Sequence, residues 1–235
     1  VIFRFGSLDG RAFGHFAQDS ALAYIKSKLD NQKSKKRIIH IFGIEKPVTN
    51  KYLEVLWKRK FTIFPFVKFL LLIGQVSNFL TSTKDHIFID EPQFENEEKI
   101  NNYKINFIIN DKEKIKGKKL LESLKIPENS KIITVAARDN SWSYLYNKKF
   151  NIKNFEIEKY NKEQEYRNVD INSFKEAAFE FANLGYYVVR MGTPTDKKFN
   201  FENKKEIIDY ANSPFRSEFA DIFLSKACNF YFGTD

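Results

Sequence analysis

The chain has 235 residues, is 43% hydrophobic with 25 Phe and 11 Tyr, and carries a net charge of +9. That length can bury one large core or two small ones, and so much apolar and aromatic content excludes a disordered chain. The single cysteine, Cys228, excludes a disulfide framework, suits a reducing compartment and reads as a small core residue.

The charge is uneven. Residues 1–125 hold 23 Lys and Arg against 14 Asp and Glu, whereas the remaining residues hold 16 of each. A basic first half suits an anionic partner such as a phosphate-linked acceptor, an acidic glycan or a membrane surface. Solvated lysines on every face are the plain alternative. The basic residues are scattered rather than striped and form no nucleic-acid motif, so no nucleic-acid partner is expected.

A short strand, Val1 to Phe5, leads into a turn crowded by Gly6, Gly10 and Gly14, and an amphipathic helix begins near His15 with Phe16, Leu22, Ile25 and Leu29 at helical spacing. The glycines are spaced G-x-x-x-G-x-x-x-G, which is neither a dinucleotide fingerprint nor a P-loop. Such a turn can still offer backbone N–H groups to an anion or a sugar hydroxyl. After the basic run NQKSKKR come a strand, Ile38 to Phe42, a helix, Asn50 to Arg59, and a strand, Phe61 to Phe64, closed by Pro65. The most apolar stretch, Phe66 to Leu80, is too short to cross a bilayer and reads as a buried helix or a membrane-facing one. A strand is expected at His86 to Ile89.

The polar segment Glu95 to Lys119 marks the domain boundary, with domains over 1–110 and 111–235. Leu120 to Leu124 belongs to a helix ending before Pro127. Lys131 to Ala137 is a buried strand with Arg138 and Asp139 at its carboxyl end. The long segment from Asn140 to Ile171 has the length of a functional lid, in which Trp142, Tyr144 and Tyr146 can stack on a base or sugar. A helix follows from Ser173 to Leu184, with Asp170 as a cap acceptor. Strands at Tyr186 to Met191, Ile207 to Tyr210 and Phe230 to Phe232, with a helix from Ser217 to Lys226, complete a parallel α/β slice. Ligands of such sheets bind beyond the carboxyl ends of the strands. The residues to inspect there are Arg190, Gly192, Thr193, Asn212, Ser213, Gly233 and Thr234.

Six short motifs carry a resemblance: R-x-x-G-H-F at 11–16, YRN-x-DI at 166–171, RMG at 190–192, IIDYANSP at 207–214, S-x-x-x-DIFL at 217–224 and FGT at 232–234. Together they resemble a family of bacterial glycosyltransferases of GT-B architecture, whose donor half is similar to fucosyltransferases. The resemblance implies two Rossmann-like, doubly wound α/β domains, the first on the acceptor side and the second binding the nucleotide sugar and truncated at its C-terminus. It implies a GDP- or UDP-linked donor, a glycan or lipid-linked acceptor in surface polysaccharide synthesis, and a hexosyl- or fucosyltransferase-like activity. The setting would be cytoplasmic, at the inner membrane surface where the basic half meets lipid.

On this resemblance Arg138 holds the donor diphosphate. Asp139, Arg167, Arg190, Gly192, Ser217, Asp221, Gly233 and Thr234 complete the donor side, while Arg11, Gly14 and His15 serve the acceptor loop. A guanidinium suits a leaving diphosphate because it gives permanent, bidentate hydrogen bonds to phosphate oxygens. For Asp221, a contact to ribose or base stands beside a surface pair with Arg216 or Lys226. Asp9, His15 and Asp19 are the candidates for a general base. No D-x-D after a strand, no HExxH and no Cys/His cluster is present, so neither a metal nor another cofactor is expected. A non-catalytic glycan- or phosphate-binding α/β module is the alternative reading.

Overall fold

The computed structural model describes residues 1–88, 103–141, 143, 154–192, 197–199, 201 and 204–234. Its contacts divide the chain into two compact units, Val1–Ile108 and Ile109–Asp235. Each is a Rossmann-like parallel α/β sheet.

The first unit orders its strands β1 (Ile2–Leu8), β2 (Ile38–Ile44) and β3 (Thr62–Ile63), all parallel. On the far side of β1 the expected strand at 86–89 is reduced, among the described residues, to a parallel bridge between Ile87 and Phe5. Helices α1 (Phe13–Lys33) and α2 (Lys51–Lys58) make the crossovers from β1 to β2 and from β2 to β3. Right-handed connections put both on one face. The indole N–H of Trp57 on α2 donates to the Phe16 carbonyl of α1 at 3.1 Å, and Trp57 is buried. Asn50 starts α2 by accepting from the Leu53 amide at 2.8 Å. Phe42 is fully buried, with the rings of Phe61 and Phe88 at 4.7 and 5.0 Å. His40 lies in this aromatic core beside Phe42 and Phe88, and its Nε2 is 3.6 Å from Asp30. Burial, aided by Arg4 and opposed by Asp30, pulls its pKa down to about 4.

Helix α3 (Val67–Thr81) runs back from β3 past β1 and therefore covers the other face of the sheet, packing on β1 and β2. The reading of this stretch as a buried helix needs correction. Leu70 and Gly74 are buried, but Phe69, Leu72, Phe79 and Leu80 are each more than half exposed. Gly74 is required by close approach, because a Cβ there would overlap the Ile87 side chain and the His86 carbonyl.

In the second unit the strand order is β6 (Ile207–Ile208), β5 (Tyr186–Arg190), β4 (Lys131–Ala136), β7 (Phe230–Gly233), again all parallel. The polar stretch read as the domain boundary ends in a helix, α4 (Asp111–Ser123), opened by a capping box between Asn110 and Glu113, and the helix expected at Leu120 to Leu124 is its last turn. Helix α5 (Asn154–Glu163) stands within the segment read as a lid; Trp142, Tyr144 and Tyr146 lie outside the described residues. The expected helix after Asp170 opens as a 3-10 turn, Ile171–Phe174, and continues as α6 (Lys175–Asn183). Strand β6 stops after Ile208, and Tyr210 belongs to a 3-10 turn. The last helix is α7 (Glu218–Ala227); Cys228 ends it, half-buried against the core.

Both faces of this sheet are covered. Leu120, Leu124, Ile132, Val189 and Leu224 pack one side, and Val135, Ala178, Ala182, Val188 and Phe199 the other. The alternation Val188/Val189 sends neighbours to opposite layers, as a doubly wound sheet requires.

The division also redistributes the charge. Val1–Ile108 holds 17 basic and 11 acidic residues, and Ile109–Asp235 holds 22 and 19. The lysines of α4, counted with the first half above, belong to the second unit.

Candidate functional site

The carboxyl edge of the second sheet brings several of the expected residues together. Strand β4 delivers Ala136, Ala137 and Arg138, and β7 runs beside it with Gly233 paired to Ala136. The Thr234 amide donates to the Ala136 carbonyl at 3.0 Å, and the Arg138 amide donates to Thr234 Oγ1 at 3.0 Å. Gly233 has φ +141°, and a Cβ would overlap the Ala136 carbonyl oxygen. Only glycine lets β7 lie this close while turning its chain.

Arg138 as a residue is half-buried, and its guanidinium makes an exposed hydrogen bond to the Tyr160 hydroxyl of α5 at 3.1 Å. Its carbonyl accepts from the Val169 amide at 3.0 Å, which fastens the YRN-x-DI segment to the β4 tip. Asp139 accepts from the Ser141 amide at 2.9 Å, and Asn168 Nδ2 donates to Asn140 Oδ1 at 2.8 Å. Arg167 is half-buried beside them, with Nη1 donating to Gln164 Oε1 at 3.2 Å. Asp170 caps the 3-10 turn through the Asn172 amide, and the hydrogen bond from Lys197 is the largest influence holding its carboxyl down to about 2.

Further along the same edge a second group forms around α7. Ser217 caps the helix, its Oγ accepting from the Ala220 amide at 3.2 Å. Asp221 accepts from the Tyr210 hydroxyl at 2.8 Å and lies 3.5 Å from Arg216 Nη2. Of its two anticipated partners the structure gives Arg216, and it adds Tyr210. Burial raises the Asp221 pKa against the pull of Arg216, and burial likewise raises that of Tyr210. Arg216 Nε also donates to the Gly192 carbonyl at 2.9 Å, tying the end of β5 to the start of α7.

Arg190 stands apart from these. Its side chain is 2% exposed, with Nη1 donating to the Lys197 carbonyl at 2.6 Å and lying 3.4 Å from Asp209 Oδ1. Asp209 in turn accepts from the Phe199 amide and Asn212 Nδ2. Arg190, expected on the donor side, is thus an internal tie between β5 and the loop that follows it. Thr193 lies outside the described residues.

The first unit has its own polar edge. Beyond β1, Asp9 accepts from the Arg11 amide and Nε, each at 2.9 Å, and Arg11 Nη2 reaches Glu45 at 3.2 Å. The Arg11 hydrogen bond holds the Asp9 carboxyl below its usual range, which makes Asp9 a poor proton acceptor. His15 sits exposed on the first turn of α1, its Nδ1 3.0 Å from Asp19 Oδ2 one helical turn on. Space is open beside Gly14, and the N-cap, Ala12, supplies no side-chain cap. The pairing sets the Asp19 carboxylate against Nδ1, as an orienting carboxylate stands to a base.

Three contributors escaped the sequence reading as site residues. Tyr160 carried no signal, because its place depends on α5. Tyr210 read as a strand end, although it bears on Asp221 from 11 positions away. Arg216 read only as a surface partner, although it immediately precedes the S-x-x-x-D motif. Among the described residues there is no group of three or more His, Cys, Asp or Glu able to hold a metal ion, and no helix long and apolar enough to cross a membrane.

No protein-family model and no curated protein matches the chain. Among solved structures the chain is similar to ADP-heptose LPS heptosyltransferase II of E. coli, at 8% identity and a TM-score of 0.53, over 100% of this chain and 79% of that one. At that identity the likeness is one of fold, and it spans both Rossmann-like α/β units of the protein.

Proposed function

We propose that the protein is a glycosyltransferase of GT-B type that moves a sugar from a nucleotide-sugar donor to a glycan or lipid-linked acceptor in surface-polysaccharide synthesis. The observation that carries the reading is the meeting of Arg138, Gly233 and Thr234 at one sheet edge, in a chain whose whole length follows a heptosyltransferase fold. The donor diphosphate lies over the β4 and β7 tips, where the Arg138 guanidinium meets its oxygens. Asp221, oriented by Tyr210 and Arg216, takes ribose or base hydroxyls.

In the reaction an acceptor hydroxyl oxygen bonds to the anomeric carbon. The bond from that carbon to the phosphate oxygen breaks, and the electron pair leaves with the diphosphate. The hydroxyl proton passes to a general base, for which the first unit offers His15 with the Asp19 carboxylate at its Nδ1. Arg138 neutralises the leaving group, the work a metal ion performs in other transferases. A preorganised donor of this kind is worth about 3 to 4 kcal/mol of barrier.

The test is thermal stabilisation by ADP, GDP, UDP and their sugar conjugates, with Arg138→Ala in parallel. A ligand that binds the folded state must raise its melting temperature by mass action. The expected result is a shift with one base that disappears in the variant. No shift with any nucleotide, in protein shown to be folded, overturns the reading. A shift without sugar transfer to any acceptor leaves the non-catalytic binding module.

A further inference from the structure

Arg216 is anchored at the end of β5 without being sealed there. Its Nε donates to the Gly192 carbonyl at 2.9 Å, its Nη2 lies 3.5 Å from Asp221 Oδ2, and its Nη1 makes no hydrogen bond to a described residue. The side chain is 33% exposed, against 2% for Arg190. Gly192 is itself exposed, with φ +120°, a backbone state that favours glycine, and a Cβ there would meet no atom within 4 Å. In the sheet Val135 pairs with Arg190, and the Met191 amide donates to the Val135 carbonyl at 2.7 Å. The chain at Gly192 therefore leaves the sheet next to the β4 tip that carries Arg138.

We infer that Arg216 binds the inner phosphate of the donor, the one joined to the ribose, and leaves the outer phosphate to Arg138. This division rests on the sugar-transfer reading and assigns each half of its diphosphate to one arginine. Order along the ligand argues for it. Arg216 touches Asp221, read as the ribose contact, and is anchored on the strand end adjacent to that of Arg138, so it stands between the two ends of the nucleotide. Charge argues the same way. A nucleoside diphosphate carries more than one negative charge and a guanidinium supplies one. Arg190 is held inside by Asp209 and the Lys197 carbonyl, and Lys197 is paired with Asp170 at 2.9 Å. The exchange is also mild. Turning Nη2 from Asp221 to a phosphate oxygen gives up one long contact for a charge-assisted hydrogen bond of ordinary length. Asp221 keeps the Tyr210 hydroxyl at 2.8 Å, so its buried carboxylate is not stranded.

Isothermal titration of the full chain measures adenosine, guanosine and uridine beside their monophosphates and diphosphates. In the wild-type protein affinity should rise in two steps, from nucleoside to monophosphate and from monophosphate to diphosphate. Arg216→Gln, whose amide can still reach the Gly192 carbonyl, should shrink the first step by about tenfold or more. Arg138→Ala should shrink the second step and spare the first. Asp221→Asn should weaken nucleoside, monophosphate and diphosphate alike and keep both steps. A first step that Arg216→Gln retains overturns the inference. So does a loss in Arg216→Gln that falls equally on nucleoside and phosphates, because it makes Arg216 a support for Asp221 alone. A first step cancelled by Arg167→Gln instead gives the inner phosphate to Arg167 and overturns it too. Wild-type protein that is folded and binds no nucleoside or nucleotide is a different outcome, which sinks the sugar-transfer reading itself.

Discussion

The two sheets share a plan, parallel strands joined by helices, and use their carboxyl edges differently. In the second unit the edge is cross-braced. Thr234 holds the Arg138 amide, Val169 holds its carbonyl, and Arg216 joins Gly192 to Asp221. In the first unit the corresponding edge is tied at its base, by the Thr49 amide to the Gly10 carbonyl and by Arg11 to Glu45, and then opens into the exposed first turn of α1, Phe13 to His15, where His15 pairs with Asp19. On the proposed reading, the braced edge holds the charge that meets the leaving group, and the exposed first turn of α1 receives the acceptor.

The sharpest way to break this comparison lies inside the braced edge, between its two strand-end arginines. Asp209→Ala strands the buried Arg190 guanidinium and should cost about 3 to 5 kcal/mol of stability, read as the urea midpoint. A change within experimental error would mean that Arg190 is hydrated and open after all. Arg138→Ala should do the reverse, leaving stability within about 0.5 kcal/mol and lowering turnover by about 10²- to 10³-fold. Equal effects of the two substitutions on stability would erase the distinction between tie and ligand.

The first unit has a test of its own. The folded pKa of His40 is about 4, below its ordinary 6.5, so between those values the unfolded chain binds the extra proton. Its contribution is complete above about pH 6.5 and is lost as the pH falls toward 4, by about 3 kcal/mol in all. His40→Leu should flatten that part of the stability profile of the first unit. Denaturation at stepped pH gives the slope, and an unchanged slope would assign the acid sensitivity elsewhere.

The smallest effect separates two roles for one residue. Ser217→Ala should cost about 1 kcal/mol through the lost cap of α7, and Ser217→Asp should restore it. A loss of nucleotide affinity in the aspartate variant with restored stability would give Ser217 a place in the donor site as well.

Much of the fold was legible because the strands declare themselves: IIHIF, KIITVA and YYVV are runs of β-branched and aromatic residues bounded by turns. Helix α4 was legible only at its last turn, read as Leu120 to Leu124. Its sequence DKEKIKGKKLLES is polar on nearly every side, and it is fixed by the Asn110–Glu113 box and by the close fit of Gly117 against Phe223, a partner 106 positions away. The exposure of α3 was hidden for the opposite reason, since an apolar run reads as core whatever covers it. At the site, residues at strand ends were legible from topology, because Arg138, Gly233 and Thr234 follow their strands directly. The fate of Arg190 was not, because the carboxylate that claims it arrives 19 residues later.

The buried indole of Trp57 gives these units separate voices. The chain has only two tryptophans, Trp57 in the first unit and Trp142 in the second. Trp57 is held by the Phe16 carbonyl and lies edge-on to Phe107 at 4.8 Å, so its emission reports the dry interior of the first unit alone. With Trp142→Phe, a fluorescence melt follows that unit, while circular dichroism follows both. Coincident transitions would make the protein a single cooperative body, and separated ones would give each unit its own free energy.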